Sequence, residues 1–229
     1  MKIGEYDVSN CGATQLLVEF TPPQNGAGYE WPDGFLRPVD LPTTQKCGKV
    51  KITMYFRGQS RDEIMKAIST VCGKLTRPQK IKLDGYTGYF FGYLVAAAVV
   101  KTTSPRRYKL EIEMDGYRVE DEVEQIAQQG VAITRRGSRS VLCTVSVVSD
   151  SDTETVVLSG FGSENILIRN LKAGVPVVIS SDGLVLEDGK NKMEDVTMLE
   201  FPALTEDETV LEWTPENVAV SVRYTPAWL

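Results

Sequence analysis

The side chains best suited to chemistry in this chain are acids. Asp150, Asp152 and Glu154 alternate like the first ligands of a calcium loop, but Thr155 stands where that loop needs glycine and no helices flank it. Asp188 with Glu194, and the run Glu206-Asp207-Glu208, offer carboxylates of the kind used in glycoside hydrolysis. That reaction needs two of them held in a cleft at a set separation, and solvated turns account for both groups more simply. Gly160-Phe161-Gly162 begins like a dinucleotide-binding fingerprint, yet its sixth position is Asn165 and no βαβ unit surrounds it, so a hairpin turn is expected. The chain has no histidine, which removes His-dependent triads, Cys-His dyads, HExxH zinc sites and His₂-carboxylate iron sites together. Its four cysteines, Cys11, Cys47, Cys72 and Cys143, form no CxxC pair and read as small hydrophobes. The expectation is a protein that is not an enzyme, with no catalytic, cofactor-binding or metal residues.

Composition sets the frame for whatever positions these groups. A chain of 229 residues with 42% apolar content can bury one large β core or two smaller ones. The net charge of −6 argues against general binding to nucleic acid. Two basic clusters, Pro105-Arg106-Arg107 and Arg135-Arg136-Gly137-Ser138-Arg139, fall between strand-like segments and read as solvated loops. The longest apolar run, residues 94–100, is too short to span a bilayer, so no membrane role is expected. The opening MKIGEYDVSN has no apolar signal core, which places synthesis in a cytosol.

The elements differ between the two halves. Residues 49–56, KVKITMYF, alternate strictly and put Val50, Ile52, Met54 and Phe56 on one strand face. Ser60-Arg61-Asp62-Glu63 is a capping box, and Ile64, Ala67, Ile68, Val71 and Leu75 recur at helical spacing, which predicts a helix over 61–74. Asp84-Gly85 marks a turn between strands, and Leu110, Ile112 and Met114 alternate inward on a later strand. The aromatic series Tyr86, Tyr89, Phe90, Phe91 and Tyr93 could stack on bases or sugars, but its interleaved glycines favour a packed core. Residues 116–130 read as an acidic connector with a helical turn, and the domain boundary is expected near Gln129. From Ser138 onward short strands separated by turns, notably at Asp182-Gly183 and Asp188-Gly189, predict a β-sandwich. The chain closes on VSVRYTPAWL, where Val220, Val222 and Tyr224 share a face. Tyr224, Trp228 and Leu229 are expected as structural anchors in a core or domain seam.

Residues 22–42, rich in Pro and Gly, hold Tyr29, Trp31 and Phe35 without periodicity. A loop this long is either ordered by a partner or an irregular cover over the domain, and those three aromatics are the candidate contacts.

This order of parts resembles the distal tail proteins of long-tailed, siphovirus-type bacteriophages or prophages. In PVVISSDGLVLEDGKN, the positions Ile179, Gly183, Val185, Asp188, Gly189 and Asn191 are similar to that family's strand–turn–strand element. Phe201, Pro202 and Leu204 in MLEFPALTEDETVLEW match its next element, and VSVRYTPAWL is similar to its last strand. YFRGQSRDEIMKAISTVCGKL and YFFGYL resemble its strand–helix unit and the strand after it. The sequence departs at Ser180, where Asp is common, and at Asp207-Glu208, which replaces a Pro-Gly-type turn.

The resemblance implies a mainly β chain with one helix: an N-terminal barrel or sandwich domain over 1–129 and a C-terminal galectin-like sandwich over 130–229. It implies a structural virion protein of the tail tip, made in the host bacterial cytoplasm. Such subunits form a homo-oligomeric, commonly hexameric ring between the tail tube protein and the tail-associated hub protein. Their outer domains hold receptor-binding or baseplate proteins, and DNA passes through the channel without specific binding. On that view the acidic balance would line the channel with negative charge. The alternative is a lectin-like carbohydrate-binding module in which Trp213 or Trp228 stacks on a sugar ring.

Overall fold

The computed structural model describes residues 1–23, 46–104, 106–162 and 164–228, together with the backbone of 29–30 and 39–40. The chain divides into two compact units, Met1–Val119 and Glu120–Trp228.

In the first unit, β1 (Lys2–Ile3), β2 (Tyr6–Asp7), β3 (Ala13–Thr21), β4 (Gly48–Arg57), β5 (Gln79–Lys82), β6 (Tyr89–Lys101) and β7 (Arg107–Val119) form one antiparallel sheet. Its order is β2-β1-β5-β6-β7-β4-β3. Strict alternation does what pleating requires: Val50, Ile52, Met54 and Phe56 on β4, and Leu110, Ile112 and Met114 on β7, are fully buried on one face. Helix α1 (Arg61–Lys74) covers β4 and β7 with Ile64, Ile68 and Val71. Ser60 caps it by accepting from the Glu63 amide, while the Glu63 carboxylate reaches back to the amide of Gln59, one residue earlier than the expected Ser60.

Among the described residues the sheet does not close by strand pairing. Instead the Gln15 side chain on β3 bonds both the N–H and the carbonyl of Asp84, and Phe20 stacks edge-on with Tyr86 at 5.2 Å. Three glycines in register, Gly48, Gly116 and Gly92, cross β4, β7 and β6. The Phe90 ring fills the space that the missing side chains of Gly92 and Gly116 leave. The aromatic series is therefore split, a correction to its reading as core: Phe90 is buried, whereas Tyr86 and Tyr93 are exposed.

The second unit starts at Glu120, upstream of the Gln129 expected from sequence. The cause is strand pairing: β8 (Val123–Ile126) joins the sheet of this unit against Val218–Tyr224, where a connector with a helical turn was expected. One sheet runs from β8 through β15 (Val218–Tyr224), β9 (Val141–Ser149) and β12 (Val177–Ile179) to β13 (Val185–Glu187). The other contains β10 (Thr153–Ser159), β11 (Ile166–Leu171) and β14 (Glu212–Thr214). Their inward residues, among them Cys143, Val145, Val147, Leu158, Ile168, Trp213, Val220, Val222 and Tyr224, make one sandwich core. Asp188-Gly189 joins β13 to Lys190–Asn191 with both residues at positive φ, 49° and 73°, the geometry of a type I′ hairpin turn.

Candidate functional site

Of the acids singled out for chemistry, Asp152 and Asp207 tie turns together and Asp188 forms one. Asp152 accepts from the Ala173 amide at 2.9 Å and faces Lys172, and these contacts, the amide bond foremost, hold its carboxyl below the usual carboxylate range. Asp188 is a turn residue, and its neighbour Glu187 pairs at 2.8 Å with Lys192, a buried lysine that also donates to the Asn170 carbonyl. Asp207 pairs with the buried guanidinium of Arg135, which also donates to the carbonyls of Glu206 and Arg139. Arg135 is thus a clamp for the turn at 206–207 rather than part of a solvated basic loop. Among the described residues no group of His, Cys, Asp and Glu is placed to hold a metal ion. No described helix is long and apolar enough to cross a membrane.

Tyr224 is buried, and its hydroxyl accepts from the Arg136 amide at 3.0 Å and from Gln125 Nε2 at 3.4 Å. Trp228 is half-buried, and Leu229 lies outside the described residues. The closing segment is tied by its backbone: the Ala227 carbonyl accepts from Ser138 and Arg139, and Pro226 from Glu120. Trp213 is buried in the sandwich core, so it is not available to stack on a sugar. Of the three loop aromatics, Trp31 and Phe35 lie outside the described residues. Tyr29 pairs with Asp40 through its backbone.

The feature that sequence reasoning missed is the second half of β6. The strand β5 pairs with β6 only as far as Gly92, so residues 93–101 run on with β7 on one side and no strand on the other among the described residues. That stretch is apolar on both faces, since Ala96, Ala98 and Val100 stand on one and Ala97 and Val99 on the other, and all five are exposed. At the far end of the sheet β3 is likewise paired on one side only among the described residues, with Leu16, Leu17 and Phe20 exposed. Natural sheets blunt bare edges with charge, proline, short length or bulges; here each edge carries one charge, Glu19 or Lys101, and one register shift, between Gln15 and Leu17 or between Leu94 and Ala96, and is otherwise undefended.

On the face of the sheet away from α1, the middle of β4 and β7 is polar and internally paired. Lys49 bonds Glu113 at 2.8 Å and Lys51 lies 3.2 Å from Glu111. The Lys49 contact depresses the Glu113 carboxyl and in return raises the lysine.

No protein-family model and no curated protein matches the sequence. Among solved structures, the chain is similar to the Dit protein of phage SPP1, described as a paradigm of the hub adsorption apparatus in phages infecting Gram-positive hosts. The TM-score is 0.76 at 11% identity, covering 100% of this chain and 98% of that one. A chain of the phage P2 baseplate in its activated conformation with Ca matches at a TM-score of 0.51 and 9% identity, over 95% of this chain and 92% of that one. A mainly β chain of two units, with one α-helix among its described residues, thus has the fold of a phage distal tail hub protein, as its sequence motifs implied.

Proposed function

We propose that this chain is a structural subunit of a phage tail tip, which assembles head-to-tail into a ring by adding the β3 edge of one copy to the β6 edge of the next. The observation that carries this reading is the unpaired, apolar stretch of β6 at residues 93–101. Successive antiparallel pairings along β3-β4-β7-β6 leave β3 and β6 pointing in opposite directions. A sheet continued from one copy to the next would therefore stay antiparallel across the joint. Because the two edges differ, the contact is heterologous, and a heterologous contact closes a ring when its rotation divides a full turn without a rise. The polar face of the sheet would then line the opening. Lys49, Lys51 and Lys109 there are matched by Glu111, Glu113 and Asp115, so the middle of the lining is balanced rather than strongly acidic, while Arg57 and Arg107 add positive charge at one end. The balanced, self-paired middle holds little excess charge to grip passing DNA.

In this role one rim of the ring stacks on the tail tube protein, the other meets the hub protein, and the sandwich units carry receptor-binding or baseplate components. The likeness to the SPP1 and P2 proteins supports the setting, and six-fold closure is what the sequence resemblance implies. The test is to place a charge on each edge. Leu17→Lys and Val99→Lys alter exposed positions, so each variant should melt within about 0.5 kcal/mol of the parent yet fail to assemble. Unchanged assembly by both would exclude these edges as the seam.

A further inference from the structure

The basic cluster at Arg106-Arg107 has a counterpart across the sheet. Arg57, at the end of β4, stands directly opposite Arg107 on β7. Elsewhere on the same polar face bases stand opposite acids, Lys49 against Asp115 and Lys51 against Glu113. Like charges placed opposite one another on a sheet destabilise it unless something offsets them. Arg106 adds a third guanidinium, and the three line an open cavity of about 460 Å³ beside Ser104 and Glu63. Glu63 is the one acid in the lining, and its Oε2 is engaged by the Gln59 amide at the start of α1. No ion pair or hydrogen bond from the guanidinium groups of Arg57, Arg106 or Arg107 is found among the described residues.

We propose that this cavity receives the carboxylates of an acidic segment on a neighbouring protein. Guanidinium groups hold carboxylates with paired, parallel hydrogen bonds, and three of them around one cavity can take more than one acid side chain. Net charge selects against nucleic acid as the occupant. The chain carries −6, so an extended duplex entering the cluster would meet repulsion from the rest of the surface. A short acidic segment needs only the local cluster. This inference goes beyond the ring and does not depend on it.

The test titrates the full chain at low salt, followed by fluorescence anisotropy, with a labelled oligo-glutamate peptide, an oligo-glutamine peptide of equal length and a short DNA duplex. The glutamate peptide should saturate, the glutamine peptide should not, and the duplex should bind more weakly than the glutamate peptide. Arg106→Gln with Arg107→Gln should weaken glutamate binding ~10-fold or more at an unchanged melting temperature. Arg107→Lys, which keeps the charge but not the fork, should weaken it by a smaller factor. Val99→Lys should bind the peptide as the parent does, so failure of the ring and failure of this site read out separately. Tighter binding of the duplex, undiminished binding by the double variant, or no saturation by the glutamate peptide would each overturn the proposal.

Discussion

At the scale of single residues, burial decides what the reactive groups can do. Cys143 sits in the sandwich core with no exposed surface, and desolvation pushes its thiol up to about 12. Such a thiol is a packing group and not a nucleophile. The folded-state value lies above that of the unfolded chain, so the contribution to stability is fully present below the ordinary thiol range and is lost as pH rises through it toward about 12. Urea melts at a series of alkaline pH values should show stability falling above the ordinary thiol range, and Cys143→Ala, though less stable at neutral pH, should show a shallower fall. An equal slope in both proteins would place the alkaline loss elsewhere. Native-state alkylation should likewise spare Cys143 until the chain unfolds.

At the scale of elements, the glycine row of the first unit can be tested directly. A Cβ on Gly116 would run into the Phe91 carbonyl oxygen and lie 2.9 Å from the Phe90 ring. Gly116→Ala should therefore destabilise by about 1–3 kcal/mol or more, read by chemical denaturation, whereas Gly73→Ala, which meets nothing within 4 Å, should not destabilise. The helix over 61–74 and the buried faces of β4 and β7 were legible in the sequence because a capping box and strict alternation are local signals. The Asp188-Gly189 turn was legible for the same reason. Residues 94–100 were not. A strand covered on both faces by its own domain and an edge strand awaiting a second chain show the same uninterrupted apolar run. The boundary at Glu120 was missed because the acids of VEDEVEQ masked a strand whose pairing is set by Val218–Tyr224, about a hundred residues away. The buried pairs of Arg135 and Lys192 were hidden too, since long-range ion pairs leave no periodic trace.

At the scale of the whole molecule, the fold and the bare edges point the same way. A monomer that left residues 93–101 and β3 open to solvent would expose two templates for uncontrolled strand pairing. Closing them on one another by rotation satisfies both edges at once and limits growth, which open-ended pairing does not. The C-terminal sandwich has its own core, separate from that of the sheet that carries the two edges. The most direct measurement is the mass of the purified chain by light scattering, combined with negative-stain imaging of the same sample. A single species at a whole-number multiple of the chain mass, seen as a closed ring with a central opening and abolished by Val99→Lys, is the predicted result. A strict monomer at the highest soluble concentration, or filaments in place of rings, would contradict head-to-tail closure through β3 and β6.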